Sequence, residues 1–72
     1  MADTLMVEDD ALAALRARAY ELADTGHHEN WDSIAAQMMD EGSIPVLVRR
    51  VGHDAFFKIM LGNRINAALE RR

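Results

Sequence analysis

Three histidines and their acidic neighbours are the first places in this 72-residue chain where chemistry could reside. His27, His28 and Glu29 are consecutive, and His53 and Asp54 form a second pair. Imidazole and carboxylate groups ligate zinc, but consecutive residues point in different directions, and zinc sites favour separated spacings such as i, i+4 on a helix. The pattern assigns no metal ligand. Ser33 and Ser43 are the hydroxyl candidates for a nucleophile. Neither lies in a nucleophile elbow or beside a patterned base, and both stand where a helix would start. Asp40 and Glu41 could mimic a paired-carboxylate site, yet an acidic pair before a glycine turn reads as a solvated helix end. The glycines are dispersed, so no phosphate-cradling loop is present. The sequence therefore names no catalytic, cofactor or metal residue, and the expectation is a non-enzymatic protein without a bound cofactor.

Arg49 and Arg50 carry a different possibility. Residues 31–51 have the outline of a helix-turn-helix: a helix through Ile34, Ala35 and Met38, a break at Gly42, then a helix bearing both arginines. A DNA-reading module of this kind places polar side chains near the N-terminus of its second helix on base edges. Here that turn is Pro45-Val46-Leu47-Val48, which is apolar. The break also comes seven residues after Ala35, later than the tight form of the motif. The favoured reading is an ordinary helix hairpin, with a small DNA-binding regulator as the alternative.

The net charge of −4 conceals a division. Residues 1–41 hold ten acids and two bases, a charge of −8, whereas residues 42–72 hold six bases and two acids, a charge of +4. Such asymmetry fits three arrangements. The halves intermix on one solvated surface, opposite-signed faces of two copies meet, or the basic half contacts phosphate.

Positioning any of these groups falls to helices. The chain is rich in alanine and methionine with one proline, a composition that favours helix over strand. Leu12, Leu15, Ala19 and Leu22 share a face, with Gly26 just beyond the helix end. That helix is placed at about 9–24, leaving residues 1–8 frayed, or starting from 4 if Asp3 or Thr4 caps it, which would bring Leu5 and Met6 towards the core. Asn30 caps a second helix whose apolar face is Trp31, Ile34, Ala35 and Met38. Residues 45–51 form a short third helix, capped by Ser43 and opened by Pro45, with Leu47, Val48 and Val51 on one face; the β-branched run Val46-Leu47-Val48 would also suit a strand. Asp54 caps a fourth helix with the stripe Phe57, Met60, Leu61, Ile65, Ala68 and Leu69, and a bend is open at Gly62-Asn63. The expected fold is all-α: a single-domain small helical bundle of three main helices plus one short helix over residues 1–72.

Seventy-two residues without cysteine bury a modest core with no disulfide or thiolate metal site to reinforce it. Good helix packing or self-association must serve instead. No secretory signal and no apolar run of membrane-spanning length is visible, so a cytoplasmic location without membrane contact is expected. The stripes do not use every large apolar side chain. Met38-Met39, Val46, Phe56, Ile59 and Met60 exceed what one small core takes, unless the bundle wraps the last helix on several sides. The candidate interaction surface is Arg49, Arg50, Phe56, Ile59, Met60 and Arg64. The expected function is a protein-interaction or regulatory module, self-associating as a homodimer through the last helix or binding another protein.

The run Ala19-Tyr20-Glu21-Leu22-Ala23-Asp24-Thr25-Gly26, then Trp31, Ile34-Ala35 and Glu41-Gly42, resembles short uncharacterised bacterial helical proteins with an LA-x-TG…W…IA…EG pattern. The resemblance covers about the first half of the chain. It implies a cytosolic bacterial helical protein and carries over no functional residue.

Overall fold

A computed structural model describes residues 3–71, with side chains from Asp9 onward. Four helices follow one another: α1 (Asp3–Asp24), α2 (Trp31–Asp40), α3 (Pro45–Gly52) and α4 (Ala55–Glu70). All six helix pairs touch, and α1 packs most extensively on α4. This is the all-α bundle of three main helices and one short one. No described helix is long and apolar enough to cross a membrane.

Local chemistry sets the helix ends. α1 starts at Asp3, next to the earlier start expected at residue 4, so residues 3–8 are helical and not frayed; fraying of residues 1–2, and the inward placement of Leu5 and Met6, lie outside what is described. Gly26 at φ 76° turns the chain after α1, in the left-handed region that disfavours any residue with a Cβ. Asn30 Oδ1 accepts from the Ser33 amide at 2.9 Å and opens α2. Gly42 at φ 102° closes α2. Its amide donates to the Met39 carbonyl and that of Ser43 to the Met38 carbonyl, both at 3.0 Å, the paired bonds of a Schellman end. Ser43 lies one residue before the α3 cap position and is not the cap expected there. The α3 cap is Ile44, with no side-chain bond, and Pro45 supplies the preset first turn. Asp54 Oδ1 accepts from the Phe57 amide at 3.1 Å and opens α4, which runs unbroken through Gly62 and Asn63.

The core is built where the four apolar faces converge. Ala19, Leu22 and Ala23 of α1 meet Ile34, Ala35 and Met38 of α2, Val48 and Val51 of α3, and Phe57, Leu61 and Ile65 of α4. Leu12, Leu15, Trp31 and Leu69 pack on its edge. Phe57 is the central ring. Tyr20 lies 5.4 Å from it at a tilted angle, and Trp31 meets it edge-on at 5.6 Å. Offset and edge contacts of this kind suit the ring quadrupoles. Among the described residues, no buried side-chain polar atom lacks a hydrogen-bond partner.

Candidate interaction surface

α4 has two apolar faces. Phe57, Leu61, Ile65 and Ala68 enter the core, as expected, but Met60 does not belong with them. It lies on the opposite side with Phe56 and Ile59, and these three are 41%, 73% and 64% exposed respectively. The reason is angular: Met60 is three residues from Phe57, yet the core centres on the line through Leu61 and Ala68, and that rotation carries Met60 outward. Phe56, Ile59, Met60, Asn63 and Ala67 recur at i, i+3, i+4, i+7 and i+11, and all are exposed. Large apolar side chains thus occupy the N-terminal half of a continuous outer face.

Arg64 borders this face one turn beyond Met60. It reaches back to α1, where Nη2 donates to Asp24 Oδ2 at 2.9 Å and the guanidinium lies 4.5 Å from the centroid of the Tyr20 ring. Arg71 donates to the Asp24 carbonyl at 3.5 Å. Two bases of the positive half are therefore spent on the acidic half. Arg49 and Arg50 are exposed on α3, a different helix from the apolar stripe. Phe56, Ile59, Met60 and Arg64 are carried by α4, and Arg49 and Arg50 by α3, which packs against it.

A second apolar area surrounds the α2–α3 turn, where Met39, Ile44 and Val46 are exposed. A groove of about 200 Å³ runs beside it, lined by Trp31, Ala35, Met39, Pro45, Val48 and Arg49. On the other side of Trp31, a cleft of about 260 Å³ separates the start of α2 from α4. Leu61 and Ile65 line it together with Lys58, Gly62, Asn66 and Glu29. Sequence reasoning missed Ile44 and this cleft. Gly62 pointed to the cleft only as an unexplained weak spot in a helix.

Two of the polar candidates bond to neighbouring elements. His28 Nδ1 lies 2.7 Å from Ser33 Oγ, so that pair holds the loop against the first turn of α2. Among the described residues no three His, Asp or Glu side chains gather as a metal site. Glu41 is bound by Arg18 of α1, whose Nε donates at 3.0 Å and whose Nη2 engages the second carboxylate oxygen, and by Gln37 at 3.2 Å. The Arg18 bond first, then that of Gln37, holds the Glu41 carboxyl down at about 2, and the same contact raises Arg18.

No protein-family model matches the chain, and neither a curated protein nor a solved structure is significantly similar to it.

Proposed function

We propose that the protein is a non-enzymatic interaction module that self-associates through the outer face of α4. The observation that carries this reading is the exposure of Phe56, Ile59 and Met60 on one helix face, opposite a core that is already complete. Three large apolar side chains exposed side by side form a contiguous patch, the kind of surface that often serves binding. A standard interface takes about 800 Å² from each partner, so this stripe alone supports a reversible pair rather than an obligate one. A two-fold pairing is the natural form, because one face then serves both copies. The charges favour this over phosphate contact. Arg64 and Arg71 are turned toward Asp24, and the first turn of α3 presents Val46 where a base reader needs a donor.

Sedimentation across a concentration series tests the proposal. The wild type should shift from monomer to dimer, and Phe56→Asp should remain monomeric with an unchanged helical spectrum. A wild type that stays monomeric throughout would end this reading.

A further inference from the structure

We propose that the cleft between the start of α2 and α4 binds a small zwitterion with an apolar body, of the size and chemistry of a free amino acid with an apolar side chain. Its two walls come from segments far apart in sequence. Glu29 and Trp31 stand at the entry to α2, and Lys58, Leu61, Gly62, Ile65 and Asn66 line it from α4. The α4 positions run i, i+3, i+4, i+7 and i+8, one face of the helix over two turns. Leu61 and Ile65 are core residues, so the floor is apolar, and the Trp31 indole adds an aromatic wall. A concave site with an apolar lining and a few convergent polar groups is the usual form of a small-molecule pocket. Its volume of about 260 Å³ lies just under the range of such pockets, which suits a ligand smaller than a drug-sized one.

The charges of the lining decide the chemistry. It holds one anion and one cation, Glu29 from the first wall and Lys58 from the second. Elsewhere opposite charges on two elements close on each other, Arg18 on Glu41 and Arg64 on Asp24. Glu29 and Lys58 do not. Among the described residues, neither they nor Asn66 makes a side-chain hydrogen bond or ion pair. A molecule with a carboxylate at one point and an ammonium at another answers both groups. Lys58 donates to its carboxylate, Glu29 accepts from its ammonium, and the Asn66 carboxamide can serve either. Its apolar side chain lies on Leu61, Ile65 and the indole. A plain anion would meet Glu29 and a plain cation Lys58, so the pair selects against both. Glu29 and Lys58 are exposed, and exposed ion pairs contribute little. The expected dissociation constant is therefore about 1 mM.

Trp31 is the only tryptophan and lines the cleft, so its fluorescence reads occupancy directly. L-Leucine titrated into the wild type should give a saturable change. Glycine, which lacks the apolar body, should give none. N-Acetyl-leucine and leucine amide each lack one of the two charges and should bind about threefold or more weakly, as for the loss of an exposed ion pair. Glu29→Gln should erase the advantage of leucine over N-acetyl-leucine, and Lys58→Gln its advantage over leucine amide. Gly62→Leu should abolish the response by filling the cleft. Nothing lies within 4 Å of where a Cβ on Gly62 would stand, so the melting temperature of that variant should not fall. No saturable response to leucine or phenylalanine at concentrations well above the expected constant would overturn the proposal. So would equal binding of the two singly charged derivatives, or full binding by a folded Gly62→Leu.

Discussion

A Cβ placed on Gly52 would stand 2.6 Å from the Trp31 indole nitrogen, so the last turn of α3 packs against the first residue of α2 with no room for a methyl group. Trp31 is also edge-on to Phe57 and lies between the two surface grooves. Its ring joins α2, α3 and α4. Gly52→Ala should therefore destabilise the protein despite the better helix propensity of alanine, by about 1–3 kcal/mol as for other overpacked contacts. Urea unfolding followed by fluorescence measures this directly, because Trp31 is the only tryptophan. An unchanged midpoint would mean that the indole yields freely and the contact is not restrictive.

The helix caps give a graded comparison. Asn30 and Asp54 each accept a backbone amide at the start of a helix, whereas Ser43 makes no such side-chain bond. Asn30→Ala and Asp54→Ala should each cost about 1 kcal/mol, and Ser43→Ala should be close to neutral. Chemical denaturation of the three variants side by side checks the order. A Ser43→Ala loss equal to the other two would contradict the capping by Ile44.

Phe57 should tolerate substitution least. It is 2% exposed and contacts the rings of Tyr20 and Trp31. Phe57→Ala should cost about 3–5 kcal/mol, the range for removing a buried aromatic. In a bundle this small, that is enough to populate the unfolded state at room temperature. At concentrations where the chain is monomeric, the neighbouring Phe56→Ala should leave stability nearly unchanged, since that side chain has little to lose there. Comparing the two adjacent phenylalanines in thermal melts tests the two-faced reading of α4.

The helices and most of the core were legible in sequence because 3.6-residue periodicity is written in side-chain type. Trp31, Ile34, Ala35 and Met38 declare one face without ambiguity, and Asn30 and Asp54 declare their caps. Met60 and Ser43 were misread for related reasons. A stripe drawn from spacing alone does not state where its centre lies, and Met60 fits either edge. Ser43 is a cap by residue type, but α3 opens at Pro45, so the cap position falls on Ile44 and Ser43 stands one residue outside it. The candidate surface was half legible. Surplus apolar residues announced Phe56 and Ile59, whereas how Arg49 and Arg50 on α3 stand to them is a tertiary fact that spacing does not carry. The cleft at Gly62 depends on three segments and has no local signature.

The last prediction concerns acid. Glu41 ends α2 and is held by Arg18 of α1, with Gln37 assisting, and its carboxyl lies at about 2 against an ordinary 4.5. A carboxyl depressed in the folded state favours folding in its charged form. That contribution is complete above the unfolded value of about 4.5 and is lost as pH falls towards about 2. The sign follows from proton uptake: between these values the unfolded chain binds a proton at Glu41 that the folded chain refuses, so acidification favours unfolding. Other carboxylates titrate in the same range, and the informative quantity is therefore the difference between wild type and Glu41→Gln. In thermal melts from pH 7 to pH 2, that difference should be constant down to about pH 4.5 and shrink steadily below it. Arg18→Ala should remove most of it at every pH. Because the pair is exposed, raising the salt concentration should reduce the difference as well. A wild-type advantage that grew on acidification would contradict the Arg18–Glu41 tie between α1 and the end of α2.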